Sequence, residues 1–210
     1  MTVSRQRPGE GTQRSTTRSE RLAVTEALKV VGRVGAVLDV ASGNGRWTEL
    51  LTRKRRSSII HFDMSAELLA AARGAAKQGR PIHGYVRGDA GALPFRTQIF
   101  DLVVCLEFLP YVRRSGGRIR ALAEMRRVSR RWVVVEYRHR QGLHLAWQRL
   151  RLRLGLEARF PRNHFSYEQI DDELRRAGLG LRQVFPVGGL TSRSWVILAE
   201  APSPDWMTGN

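Results

Sequence analysis

The stretch VLDVASGNGR, residues 37–46, decides the fold. Its apolar half reads as a buried strand, and its small residues turn the chain. RWTELLTRK (46–54) follows, with Trp47, Leu50 and Leu51 at helical spacing. Strand, tight loop and helix therefore follow one another within twenty residues or so. Gly43 and Gly45 allow backbone angles closed to other residues and let a ligand come close to the main chain. The same rhythm repeats downstream. SSIIHFD (57–63) reads as a second strand, and Ser65 fits an N-cap before AELLAAARGAA, a strong helix former. PIHGYVRGD (81–89) and IFDLVVCLEF (99–108) read as strands three and four. SGGRIRALAEMRRVS (115–129) places Ile119, Leu122, Met125 and Val128 on one helix face, and RWVVVEY (131–137) is a fifth strand.

Upstream, SERLAVTEALKVVGR is helix-compatible from Ser19, with Gly35 as its expected stop. Near the other end SYEQIDDELRRAG (166–178) reads as a helix halted by Gly178. LRQVFPV and SRSWVILAEA then form two strands, antiparallel across a turn at Gly188-Gly189. Apolar strands without alternation, joined by helices, make a mostly parallel sheet covered on both faces, a doubly wound α/β architecture.

The 210 residues suit one domain of about 15–200, with a basic tail at 1–14, an insert at 138–165 and a short C-terminal tail at 201–210. The hydrophobic share, 42%, is enough for a core and excludes wholesale disorder. No apolar run is long enough to span a bilayer, and MTVSRQRPGEGTQRSTTRSE does not read as a secretory signal. Cys105, the single cysteine, sits in an apolar run and reads as a buried free thiol. These features predict a reduced, cytoplasmic protein. The formal net charge is +17, and only Lys29, Lys54 and Lys77 among the basic residues are lysines. Residues 112–162 hold fifteen arginines against Glu124, Glu136 and Glu157. That segment is either a solvated face or one that meets phosphates, on a membrane surface or on nucleic acid.

In a doubly wound sheet, ligands bind outside the carboxyl ends of the strands, where the loop 41–46 lies. A dinucleotide site wants a third glycine where this chain has Thr48. Asp39 beside that loop would also repel a pyrophosphate. A cationic ligand reverses the preference, and S-adenosylmethionine, with its ammonium and sulfonium, fits. Asp63 closes strand two and can accept from two ribose hydroxyls, while Asp89 closes strand three and can accept from an adenine amino group. Each aspartate alone is also a common cap or turn residue. Three acids at three successive strand ends are harder to explain that way.

With those residues in place, the chain resembles the class I S-adenosylmethionine-dependent methyltransferases, of the small type that includes the ubiquinone and menaquinone methyltransferases. VLDVASGNGR resembles the family's first motif, HFDMSAELL the segment after strand two, GDAGALPF the third motif, and FDLVVCLEFLPYV the fourth strand with its active-site loop. The resemblance implies a Rossmann-like, mostly parallel seven-stranded sheet with a terminal antiparallel strand. It also implies S-adenosylmethionine held by Asp39, Ala41, Gly43, Asn44, Gly45, Asp63, Met64, Asp89, Ala90 and Leu106. Ala41 stands where the family most often has glycine. Pro110-Tyr111 stands where relatives often carry a histidine, and RVSRRW lacks their usual Pro-Gly-Gly turn, which predicts a tighter connection.

The implied reaction is a direct displacement onto an O, N or C atom of a small-molecule or lipid-like acceptor. It relies on alignment and dryness more than on a base. Tyr111, Glu107, His139, His144 and His164 are the candidate bases, each with an ordinary structural reading beside the chemical one. No metal is expected, since His139 and His144 are misaligned for one on a helix. The insert RHRQGLHLAWQRLRLRLGLEARFPRNHF interleaves leucines with arginines. It reads as a lid over the pocket or as a segment lying peripherally on an anionic membrane at its inner face. A nucleic-acid methyltransferase or binder is the alternative suggested by the charge. A binding protein that kept the fold without catalysis is a third.

Overall fold

The computed structural model describes residues 18–52, 57–76, 81–139, 164–188 and 194–202. In chain order these form α1 (Arg18–Val31), β1 (Ala36–Val40), α2 (Thr48–Thr52), β2 (Ser58–Asp63), α3 (Ala66–Ala75), β3 (Ile82–Arg87) and β4 (Phe100–Cys105). A single 3-10 turn (Leu109–Tyr111) comes next, followed by α4 (Ser115–Val128), β5 (Ser129–Tyr137), α5 (Tyr167–Arg176), β6 (Gly180–Val187) and β7 (Ser194–Glu200). The strands make one sheet in the order β3-β2-β1-β4-β5-β7-β6. β1 pairs in parallel with β2 and β4, β2 with β3, and β4 with β5. β7 is antiparallel to both β5 and β6. The last strand thus lies between β5 and β6, with β6 at the margin. The strand order reverses between β1 and β4, so the loops after those strands flank the crevice where such sheets bind ligands.

Side chains alternate across each strand and feed two cores. Leu38, Val40, Phe62, Val103 and Cys105 pack under α4 and α5, against Leu122, Met125, Ile170 and Leu174. Val37, Ile59, Leu102 and Val134 face the other way, toward Val24 and Leu28 of α1 and toward Trp47 and Leu51. Each fully buried leucine or isoleucine contributes about 1.5–3 kcal/mol against exposure. Cys105 lies inside the first core, where burial, followed by the nearby charge of Asp39, pushes its thiol well above the ordinary range.

Helix ends follow local chemistry. Ser65 accepts from Leu68 N–H at the start of α3, and Ser166 with Gln169 forms a reciprocal capping box at α5. α1 stops at Gly32 (φ +75°), whose N–H reaches Leu28 O, and not at Gly35. Gly32 adopts the left-handed conformation that ends a helix. Gly35 instead donates its N–H to Asp101 Oδ2 at 2.8 Å. α4 runs straight into β5, because Ser129 both caps the helix and opens the strand. The expected tight connection at RVSRRW is present.

The two ends of the insert meet in a bridge between His139 and Phe165, with Phe165 N–H on Arg138 O. The tail 1–14, His144, most of the insert and the closing residues after Pro202 lie outside the described residues. Among the described residues, no helix is long and apolar enough to cross a membrane.

Candidate functional site

The loop after β1 is built on left-handed backbone. Ala41, Gly43 and Gly45 have φ of +55°, +58° and +74°. Ser42 N–H bonds to Phe62 O, and Gly45 N–H closes back onto Ser42 O. The two glycines serve different needs. A β-carbon on Gly45 would lie 2.9 Å from Thr48 Oγ1 and 3.3 Å from Ala72 Cβ, so this glycine lets loop, α2 and α3 pack. A β-carbon on Gly43 would meet nothing within 4 Å. Open space therefore lies over Gly43. Beside it, Ser42 Oγ is buried without a hydrogen-bond partner among the described residues. Asn44 is half-buried in the same loop.

Asp63, at the end of β2, holds this loop. Its Oδ2 accepts from Gly43 N–H at 2.8 Å and its Oδ1 from Ser65 N–H at 2.9 Å. The side chain is 2% exposed, and Met64 beside it is 47% exposed. Asp89, two residues beyond β3, accepts from Gly91 N–H at 2.8 Å, with Ala90 buried behind it. Both aspartates thus shape turns and also stand at neighbouring strand ends. The loop carrying Asp89 is clamped from α4. Glu124 accepts from Leu93 N–H, Arg127 donates to Leu93 O and Phe95 O, and Arg120 donates to Gly91 O. The hydrogen bond from Arg127 holds the Glu124 carboxyl below its ordinary value.

Asp39 has a different setting. It is 1% exposed, one residue before the end of β1, and faces His61 in register on β2, with Oδ2 3.2 Å from Nδ1. Burial pushes its carboxyl up, against the opposing pull of His61. The charge-complementarity expected of Asp39 is therefore taken up by the ring beside it, because an ion inside a sheet needs a partner.

Across the crevice, Glu107 also has a left-handed backbone (φ +58°) and its carboxylate lies 3.2 Å from Arg46, joining the loops after β1 and β4. Its N–H donates to Glu136 Oε2 at 3.2 Å. Glu136, near the end of β5, is 3% exposed, and burial, then the charge of Glu107, raises its carboxyl. Leu106, the residue before Glu107, is buried in the second core. Tyr111 is 44% exposed on the 3-10 turn.

A cavity of about 330 Å³ opens further along the same edge, lined by Arg113, Arg118, His164, Phe165, Asp172 and Glu173 among others. Its floor is a satisfied network. Glu173 receives Arg118, Ser115 Oγ at 3.0 Å and Tyr137 Oη at 2.9 Å, while Arg118 also reaches Val112 O at 2.7 Å. Burial and the neighbouring Glu173 push the Tyr137 phenol well up. Of the candidate bases, His164 lines this cavity, whereas His139 is stacked on Trp195 with centroids 4.5 Å apart. Among the described residues, no three His, Cys, Asp or Glu are grouped to hold a metal.

The sequence reading passed over His61, Glu136 and the Arg118–Glu173 pair. Glu136 could have been noticed as an acid ending the run VVVEY. His61 needed the β1–β2 register, and Arg118 with Glu173 needed the packing of α4 on α5, neither of which spacing supplies.

Residues 37–131 match the family model described as a methyltransferase domain. A demethylmenaquinone methyltransferase of Renibacterium salmoninarum is 35% identical over 127 residues, which is 59% of this chain and 49% of that protein. The chain thus spans about half the length of this curated relative. Magnesium protoporphyrin IX methyltransferase from Synechocystis, solved with S-adenosylhomocysteine bound, superposes with a TM-score of 0.68 at 15% identity, covering 92% of this chain and 90% of that one. A 4+2 cyclase superposes with a TM-score of 0.69 at 18% identity, covering 92% and 85%. At such identities the superpositions establish the fold, and the cyclase illustrates that this fold carries more than one chemistry.

Proposed function

We propose that this chain is a class I S-adenosylmethionine-dependent methyltransferase and moves a methyl group from that donor to a small-molecule acceptor. The observation that carries the reading is the loop after β1. Open space stands over Gly43, an unpartnered buried hydroxyl stands at Ser42, and the Asp63 carboxylate fixes the backbone between them. That is a cradle sized by the absence of a side chain and polar at its base. The donor set fits the group: the Ser42 hydroxyl at the loop, carboxylates at Asp63 and Asp89 for ribose and adenine, and Met64 and Ala90 as apolar surfaces. Bound there, the donor supplies a methyl already activated by its sulfonium.

The chain's own share of the reaction is positional. Asp63 holds the loop and the turn into α3 together. Arg46 and Glu107 tie the donor loop to the segment that follows β4, across the crevice where the acceptor would enter. Holding two reactants in line can be worth roughly 7–11 kcal/mol of barrier, so no base is needed for an acceptor that is already nucleophilic. The cavity beside His164 lies on the same edge and is a natural recess for the acceptor. The relative's name makes a demethylmenaquinone the first acceptor to try.

Calorimetry with S-adenosylhomocysteine tests the donor site. The wild type binds, and Asp63→Ala weakens binding by about tenfold or more, the worth of a charge-assisted hydrogen bond. A wild type silent at millimolar ligand refutes the reading. Transfer of a labelled methyl is then followed with demethylmenaquinone, a lipid extract and bulk RNA in parallel. Label in the RNA alone would move the acceptor to nucleic acid.

A further inference from the structure

His61 is 1% exposed in β2, an ionisable ring between the apolar Ile60 and Phe62 in a strand that opens on Ser58 and closes on Asp63. Its two nitrogens are both engaged. Nδ1 lies 3.2 Å from Asp39 Oδ2, and Nε2 lies 3.1 Å from Thr48 Oγ1. Thr48 Oγ1 in turn donates to Gly45 O at 2.6 Å. A hydroxyl has one hydrogen, and this one is spent on Gly45. The contact at Nε2 is therefore filled by a ring N–H donating to Thr48. With Nε2 carrying hydrogen, the contact at Nδ1 needs a second proton, held either by the ring or by Asp39. Either way the pair is electrically neutral, the state a buried site favours.

We infer that His61 is a positioning residue for the loop after β1: the proton shared with Asp39 fixes the direction of the Thr48 hydroxyl and so holds the Gly45 carbonyl in place. Loss of that proton to solvent reverses the chain. Asp39 becomes an anion and takes the remaining ring hydrogen on Nδ1. Nε2 is then a bare acceptor, and Thr48 must turn its hydroxyl toward it, away from Gly45. One deprotonation thus removes one hydrogen bond from the loop. The raised carboxyl of Asp39 agrees in direction, since burial favours keeping the proton.

The surroundings set how firmly the proton is held. Asp63 on β2 opposes its loss, and Arg46 in the loop favours it. Cys105 on β4 lies close enough to feel Asp39. On β3, Tyr85 stacks on the ring at 5.4 Å, and Arg73 of α3 covers Tyr85 at 5.0 Å. The effect on donor affinity rests on the function proposed above, whereas the hydrogen-bond lock does not.

The test keeps those two apart. Nitrogen-15 spectra of histidine-labelled full chain report where the ring hydrogens sit. His61 should carry hydrogen on Nε2 while the pair with Asp39 holds its shared proton, and on Nδ1 once alkali removes that proton. Across that change S-adenosylhomocysteine affinity should fall roughly fivefold to tenfold, the worth of one hydrogen bond. Thr48→Val should bind more weakly than wild type near neutrality, with a pH slope shallower by the same fivefold to tenfold or so. His61→Gln, whose amide still donates to Thr48, should bind more tightly than His61→Ala. A ring protonated on Nδ1 alone at neutral pH overturns the lock without any ligand. A Thr48→Val protein with the wild-type slope overturns it too. A normal spectrum with no ligand binding at any pH sinks the donor site and leaves the lock standing.

Discussion

Replacing Gly43 and Gly45 by alanine, one at a time, separates a glycine kept for its neighbours from one kept for a ligand. Both have positive φ, so each alanine pays about 1–2 kcal/mol for the left-handed conformation. Stiffening of the unfolded chain returns about 0.4–1 kcal/mol of that. Gly43→Ala ends there, at a loss of roughly 0.5–1.5 kcal/mol, because its new methyl meets nothing within 4 Å. Gly45→Ala must also push a methyl to 2.9 Å from Thr48 Oγ1 and 3.3 Å from Ala72 Cβ. Relieving that overlap costs a further 1–3 kcal/mol or so, by displacing Thr48 from its hydrogen bonds or by overpacking against α3. Urea unfolding should therefore rank Gly45→Ala below Gly43→Ala by more than about 1 kcal/mol. Calorimetry with S-adenosylhomocysteine should show the opposite emphasis for Gly43→Ala, with an affinity loss of about tenfold or more against its small stability loss. Equal destabilisation of the two variants would refute the packing argument. Wild-type affinity in Gly43→Ala would refute the claim that the ligand uses the space above it.

Ala41→Gly should stabilise the protein by about 0.5–1 kcal/mol, visible as a rise of roughly 2 °C in melting temperature, because Ala41 holds φ +55°, a conformation glycine adopts without steric cost. Glu173→Leu should cost about 3–5 kcal/mol in urea unfolding by stranding the Arg118 guanidinium, and adding Arg118→Met should recover part of the loss. Glu124 has a folded value below its ordinary 4.5, so its contribution is full above that pH and fades as pH falls through the lower, folded value. Urea midpoints of Glu124→Gln measured from about pH 7 down to pH 3 should accordingly show a shallower acid limb than the wild type, and identical limbs would contradict the role given to Arg127.

The sheet was legible because its signals are local. Runs such as IFDLVVCLEF and caps such as Ser65 and Ser166 carry their own instructions, and the strands they announced are present. Gly35 misled because two glycines lie near the end of α1, and only the backbone angle shows that Gly32 is the stop. The strand-end acids were legible as a set but not in their separate postures. Asp63 and Asp89 take turn hydrogen bonds at the crevice, whereas Asp39 turns sideways to a ring twenty-two positions away. That choice depends on the register of β1 against β2, a tertiary fact. The same holds for Arg118 and Glu173, which read as ordinary solvated charges until α4 and α5 are packed together.

The placement of β7 between β5 and β6 has a consequence for biosynthesis. Six of the seven described strands precede Ser194, yet β5 and β6 are joined only through the last strand, which lies between them. While the chain is still emerging from the ribosome, two half-sheet borders stay unpaired, each a template for a neighbouring polypeptide. A truncation just short of Ser194 should leave the ligand crevice largely written and still produce a protein that clumps.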